Sequence, residues 1–253
     1  MKFRTISRLI YLRRARHRGG HGIHSPFLFR LITAVIEDKQ QYPEYQRHKD
    51  KRIQTLRMLT TCTDPSLSII YNRFNINSSK PKKLLKKTEF PARFTKLIFR
   101  LIREFKPASV FHYGPSLGVN LSLIALATRD IPVSLICNDP EYNLLTENLR
   151  KDPQYSNIVS INESQEPSIP APFTIINYPH DPQNSRKMIQ KCIAQPCSDG
   201  ILIIRGIHES KEMYNLWKEL IANIIVRVSI DQFEIGIAMF RKGLQKEDFI
   251  HRF

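Results

Sequence analysis

The string His112-Tyr113-Gly114-Pro115-Ser116-Leu117-Gly118 holds the residue types of this chain best suited to chemistry. A short apolar segment, Ser109 to Tyr113, precedes it, and an apolar, alanine-bearing segment from Val119 to Thr128 follows. That order reads as strand, turn and helix. Gly114 lets the backbone turn sharply and approach a ligand closely, while Gly118 allows tight packing of helix on strand. The spacing is G-x-x-x-G rather than G-x-G-x-x-G, so a dinucleotide pyrophosphate site is poorly supported. Gly114 to Gly118 also matches the G-x-S-x-G string of a nucleophile elbow, with Ser116 in the nucleophile's place. No credible acid-then-histidine order follows it, which leaves hydrolase as a minor reading.

Other candidates are weaker. His180-Asp181 has the residue types of a general-base pair, but a loop His followed by Asp-Pro reads first as a turn. His17, His21 and His24 sit among glycines and read as a structural junction rather than a metal cluster. Cys62, Cys137, Cys192 and Cys197 match neither a disulfide framework nor a zinc site, so thiols in a reducing cytoplasm are the expectation. Trp217 lies among Met213, Tyr214 and Leu220 at helical spacing and reads as core.

The elements that must position the turn follow from periodicity. Residues 3–16 mix Phe3, Ile6, Ile10 and Leu12 with arginines, as in a short basic amphipathic helix. The glycine-rich break at 18–24 ends it. Ser25-Pro26 then reads as an N-cap with proline at the first helical position of a helix to Glu37. A charged helix is expected over Tyr45 to Leu59, and a loop over 62–80, with Asp64-Pro65, Asn75, Asn77 and Ser78. From Phe90 the pattern changes. Phe94, Leu97, Ile98, Leu101 and Ile102 mark a helix stopped at Lys106-Pro107. Strands are expected at Ser109–Tyr113, Val133–Cys137, Asn157–Ile161, Phe173–Asn177 (after the loop broken by Pro167, Pro170 and Pro172) and Gly200–Ile204, alternating with helices. Two further β-rich segments, Ile224–Ile230 and Glu234–Phe240, stand close enough for an antiparallel hairpin. Alternating strands and helices imply right-handed crossovers and a parallel sheet covered on both faces. In such a sheet ligands sit beyond the carboxyl ends of the strands.

The 253 residues suffice for a substantial core, and 42% apolar with 25% charged residues excludes wholesale disorder. No apolar run reaches the roughly 18 residues of a membrane span. Charge is uneven: residues 1–107 hold 25 of the 39 Lys and Arg but only 7 of the 23 Asp and Glu, leaving 14 and 16 for the rest. The division expected is a basic, mainly helical extension over 1–89 and an α/β domain over 90–253. The run Lys80 to Lys87 and the arginines at 4, 8, 13, 14, 16 and 18 offer non-specific contacts to nucleic acid or an anionic surface.

The segment His21-Gly22-Ile23-His24-Ser25-Pro26-Phe27 resembles the H-G-[IV]-H-S-P-F signature of a bacterial group of class I S-adenosylmethionine-dependent methyltransferases. The resemblance continues at Phe105-Lys106-Pro107, at Gly114 to Gly118 (similar to the group's E-L-G-T-S-L-G turn) and at Ser210-Lys211-Glu212-Met213. It returns over Ser229 to Gly236, at Phe240-Arg241-Lys242 and over Phe249 to Phe253. It implies a Rossmann-like fold with a mostly parallel seven-stranded sheet ending in an antiparallel hairpin. It also implies S-adenosylmethionine as cofactor, held by His112, Gly114, Pro115, Ser116, Gly118, Asn138, Asp139 and Asn177.

The chain departs from the group at its acids. His112 replaces the acidic residue before the first glycine. Cys137 or Asn138 stands where an acid binds the ribose hydroxyls, with Asp139 one or two positions late. Asn177 replaces the aspartate ending the fourth strand, and Arg205-Gly206-Ile207-His208-Glu209 follows the fifth. A carboxylate holds a ribose diol by charge-assisted bonds; Asn138 or Asp139 stands in only in part. Asn177 and Arg205 make a divalent-cation site improbable, because a hard cation needs oxygen ligands. The expectation is therefore a cytoplasmic, metal-free methyltransferase of unknown acceptor with a degenerate cofactor site. The alternative is a catalytically inactive protein of that fold whose basic N-terminal region binds a partner, RNA or an anionic surface.

Overall fold

The computed structural model describes residues 2–15, 18–61, 65–166 and 171–253. Arg16, His17, Cys62, Asp64, Pro167 and Pro170, all invoked above, lie outside the described residues. The chain divides into two compact units: Met1–Lys39 with Pro107–Tyr113 and Pro167–Phe253, and Gln40–Lys106 with Gly114–Glu166.

The first unit is built on hydrogen-bonded strands. β1 (Val110–Tyr113) pairs parallel with β4 (Phe173–Ile176), and β4 pairs parallel with β5 (Ile201–Arg205). β5 pairs antiparallel with β7 (Ile235–Met239), and β7 antiparallel with β6 (Val228–Asp231). The continuous apolar run of Ile201–Ile204 is buried throughout, as expected of a central strand covered on both faces. The hairpin expected from the spacing of the last β-rich segments is present, in the register Ser229↔Ala238. Beyond it lies β8 (Glu247–Ile250), parallel to β6, which no periodicity announced. Within this unit the strands thus run in the order β1-β4-β5-β7-β6-β8.

Helix α1 (Lys2–Arg14) belongs to this unit and is held by specific bonds. Arg4 pairs with Glu209 and, at 2.6 Å, with Glu234. The Tyr11 hydroxyl donates to the carbonyl of His251 at 2.5 Å. Ser25 caps α2 (Pro26–Arg30), its hydroxyl accepting from the Leu28 amide, and a wide-wound helical segment Leu31–Ile36 continues it. α9 (Pro182–Ala194) and α10 (Lys211–Ala222) complete the unit, with Trp217 buried on α10 as core.

The second unit holds α3 (Pro43–Thr61), α4 (Pro65–Arg73), α5 (Pro81–Thr88), α6 (Ala92–Phe105), α7 (Val119–Thr128), α8 (Pro140–Arg150) and the parallel pair β2 (Val133–Ile136) and β3 (Ile158–Ile161). α4 corrects the loop expected over 62–80. Pro65 at its start and buried Leu67, Ile70 and Tyr71 make it an amphipathic helix, hidden in the sequence by flanking turn residues. The basic run is α5, with Leu84 and Leu85 buried beneath the lysines. α6 buries Phe94, Leu97, Ile98 and Leu101, and Tyr45, Phe99 and Leu123 form a buried cluster joining α3, α6 and α7.

Candidate functional site

In the second unit the backbone enters the turn at Gly114 (φ 100°) and enters α7 from Gly118 (φ 89°), both in the region that favours glycine. A side chain at Gly118 would also stand 3.4 Å from the Leu149 Cδ2. The Gly114 amide donates to the Ile136 carbonyl at 3.0 Å, which places the turn beside the end of β2.

A residue that sequence reasoning missed organises this turn. The buried Glu89 carboxylate accepts from the Ser116 hydroxyl at 2.9 Å, from the Leu117 amide and, through its other oxygen, from the Asn120 amide at 2.8 Å. It therefore supplies acceptors to the otherwise unpaired amides at the opening of α7, where negative charge is also favoured by the helix dipole. Ser116 in turn accepts from the Gly118 amide at 3.1 Å. With its proton donated to a carboxylate and its oxygen capping the turn, Ser116 is a structural residue and not an elbow nucleophile. The signal for Glu89 was its isolation, since it is the sole acid between Asp64 and Glu104.

At the end of β2, Cys137 is buried, and that burial pushes its thiol up to about 12. Asn138 is exposed. Asp139 is half-buried and forms an ion pair with Arg73 at 2.7 Å; the same guanidinium lies 3.5 Å from Glu141 and over the Tyr142 ring. Arg73 comes from α4, the helix that the sequence concealed.

In the first unit, His112 is fully buried on β1. Asn177, also buried, donates its amide to the Tyr113 carbonyl, and its side-chain oxygen accepts from Arg205 Nη1 at 2.9 Å. Gly206 follows, and a Cβ there would meet the Pro179 Cβ at 2.6 Å. The loops after β4 and β5 therefore pack tightly around a guanidinium–amide bond. Among the described residues no three His, Cys, Asp or Glu are grouped to hold a metal.

His180 and Asp181 do not act as a pair. Asp181 caps α9 by accepting from the Asn184 amide, and His180 lies 3.6 Å from Glu209. The structure instead assembles a different histidine group. Ser7 on α1 meets His208 Nδ1, and His208 Nε2 lies 2.7 Å from Asp231, whose other oxygen accepts from the Phe233 amide. His208 stacks on Phe233 with ring centroids 4.8 Å apart. The residue types are those of a nucleophile–base–acid relay. However, the hollow beside them is only about 90 Å³ and mostly apolar, and all three side chains are buried. The group therefore serves to fasten α1. The separation of Ser7 and His208 by 201 positions hid it from the sequence.

No protein-family model matches the sequence, and comparison with curated proteins finds no match. Among solved structures the chain is similar to TomG of Streptomyces achromogenes, an O-methyltransferase involved in tomaymycin synthesis and determined with S-adenosylmethionine. That likeness has 12% identity, covers 79% of this chain and 100% of that one, and has a TM-score of 0.52. It is similar to the Podospora anserina methyltransferase PaMTH1, bound to S-adenosylhomocysteine, with 9% identity, 83% and 100% coverage and a TM-score of 0.52. A methyltransferase from Geobacter sulfurreducens gives 13% identity, 76% and 96% coverage and 0.51. The chain has the Rossmann-like methyltransferase fold. On a methyltransferase fold the Gly114–Gly118 turn stands where the sequence placed it, directly after the first strand and opening the next helix.

Proposed function

We infer that the chain is a metal-independent, S-adenosylmethionine-dependent methyltransferase of unknown acceptor, whose cofactor site has lost most of its carboxylates. The observation that carries this reading is the turn itself, with left-handed backbone at Gly114 and Gly118 on a methyltransferase fold. In this reading Gly114, Pro115, Ser116 and Gly118 receive the cofactor by close backbone approach. Asp139, with Asn138 beside it, accepts from the ribose hydroxyls. Because Asp139 must first give up Arg73, binding is weak. Transfer then relies on placing the acceptor in line with the sulfonium methyl group. We place the chain in a reducing cytoplasm, where Cys137 and Cys197 stay as thiols.

The test is calorimetric titration of the full chain with S-adenosylmethionine and S-adenosylhomocysteine. Binding that is lost in Gly114→Arg supports the reading. No heat and no thermal stabilisation at millimolar ligand, in the wild type or in Arg73→Ala, overturns it.

The bond between Arg205 and Asn177 favours a second reading, a non-catalytic protein of this fold acting through its basic N-terminal region. α1 exposes Ile6, Leu9 and Ile10 beside Arg8, Arg13 and Arg14, a pattern suited to an anionic lipid surface. α5 exposes Lys82, Lys83 and Lys86, which suit non-specific nucleic-acid contact. Arg4, committed to Glu209 and Glu234, is withdrawn from that role. Salt-sensitive binding to anionic vesicles or to an oligonucleotide, without cofactor binding, would select this reading.

A further inference from the structure

A helix on the surface of a folded protein ordinarily turns its apolar stripe to the core and its polar residues to water. Much of α1 is the other way round. Arg4, Ser7 and Tyr11, spaced three and four residues apart, share the face turned to the protein. Each is bonded there: Arg4 to Glu209 and Glu234, Ser7 to His208, and Tyr11 to the His251 carbonyl. The outward face carries Ile6, Leu9, Ile10 and Leu12, which are 40% to 59% exposed. These are four of the nine large apolar side chains exposed among the described residues, gathered on one helix of 13 residues. The bonds of the inner face fix this orientation before any partner arrives.

Arg8, Arg13 and Arg14 are exposed among these four side chains, and α1 contains no acid. Helical spacing sets Arg13 beside both Leu9 and Ile10, Arg14 beside Ile10, and Arg8 beside Leu12. An occupant of this face must therefore be anionic and apolar at once. Nucleic acid brings phosphates but nothing for four aliphatic side chains, and a second copy of α1 would set arginine against arginine. An anionic bilayer supplies phosphates at its surface and hydrocarbon just below. Arginine stems lie along apolar surface while their guanidinium groups stay at the phosphates.

We propose that α1, still seated on Glu209, Glu234 and His208, lies in the plane of an anionic lipid bilayer. Ile6, Leu9, Ile10 and Leu12 then enter the boundary between headgroups and acyl chains, with Arg8, Arg13 and Arg14 at the phosphates. The proposal deepens the second reading above as far as α1 is concerned, and it holds whether or not the Gly114–Gly118 turn takes a cofactor. Attachment by one short helix is peripheral and reversible, and it weakens as salt screens the arginines.

The experiment is co-sedimentation of the full chain with vesicles of phosphatidylcholine alone and of phosphatidylcholine and phosphatidylglycerol in equal parts. Binding to the anionic vesicles is expected to be at least about tenfold tighter than to the neutral ones. Leu9→Ser/Ile10→Ser is expected to weaken it about tenfold through lost apolar burial, and Arg13→Ala about fivefold. All three side chains are exposed, so the urea midpoint should not move. In Leu9→Trp, emission is expected to shift to the blue on adding anionic vesicles, against a constant background from buried Trp217. No binding, equal binding to both vesicle types, or an unshifted Leu9→Trp emission would overturn the proposal. Binding that survives Leu9→Ser/Ile10→Ser but is lost in Lys82→Ala/Lys83→Ala would also overturn it, while leaving the basic-region reading in place through α5.

Discussion

Arg205 donates to the side-chain oxygen of Asn177 at 2.9 Å, and both side chains are buried at the ends of adjacent parallel strands β5 and β4. On sheets of this kind, the strand ends are where polar ligands are received. Here the chain's own guanidinium is spent on its own amide.

Removing that guanidinium leaves the Asn177 oxygen short of a donor. Arg205→Ala is expected to lower stability by about 1–3 kcal/mol. Urea unfolding is the measurement, and an unchanged midpoint would mean that the bond is not formed.

On the proposed reading, Arg73, which pairs with Asp139 at 2.7 Å, competes with the cofactor's ribose for that carboxylate. In Arg73→Ala the carboxylate is released, and S-adenosylhomocysteine is expected to bind about fivefold tighter, equivalent to roughly 1 kcal/mol. Weaker or equal binding by calorimetry would remove Asp139 from the cofactor site.

Glu89 accepts two amides and one hydroxyl at the mouth of α7. Glu89→Ala orphans all three and is expected to cost about 3 kcal/mol, with Glu89→Gln costing less because one acceptor is retained. Equal midpoints for the two variants in urea would contradict this assignment.

Gly236 on β7 has no room for a methyl group, since a Cβ would stand 2.6 Å from the Trp217 ring. Gly236→Ala is expected to destabilise by about 1–3 kcal/mol through overpacking. The chain has a single tryptophan, so fluorescence reports the displacement directly.

His48 gives the molecule a pH dependence of known sign. Its pKa falls from 6.5 to about 4 on folding, so between these values the unfolded chain binds more protons than the folded one. Its contribution is complete above pH 6.5 and is lost as pH falls towards 4, up to about 3 kcal/mol at the slope of roughly 1.4 kcal/mol per pH unit. Urea midpoints for wild type and His48→Gln should therefore converge as pH is lowered across that window. A constant gap would mean that folding leaves the His48 pKa unshifted.

Local pattern made much of this protein legible. The buried run at Ile201–Ile204, the hairpin spacing around Asp231-Gln232-Phe233 and the Ser25-Pro26 cap each follow from neighbours within a few residues, and each is present. α4 was missed because Asn75, Asn77 and Ser78 beyond it are turn formers that mask a nine-residue helix. β8 was missed because a four-residue edge strand with one buried side chain leaves almost no alternation to read.

By itself the sequence determined most of the strands and helices, α4 and β8 apart, and that a glycine turn follows the first strand, because backbone freedom and apolar periodicity are properties of neighbouring residues. It also showed which residue types stand at the strand ends, His112, Asn177 and Arg205 among them, since residue type is read directly. Only the tertiary structure decided what they bond to. Glu89 and Ser116 are 27 residues apart, Asn177 and Arg205 are 28 apart, and Ser7 and His208 are 201 apart. A hydrogen bond needs its partners within about 3 Å of each other in space, and no spacing along the chain encodes that distance.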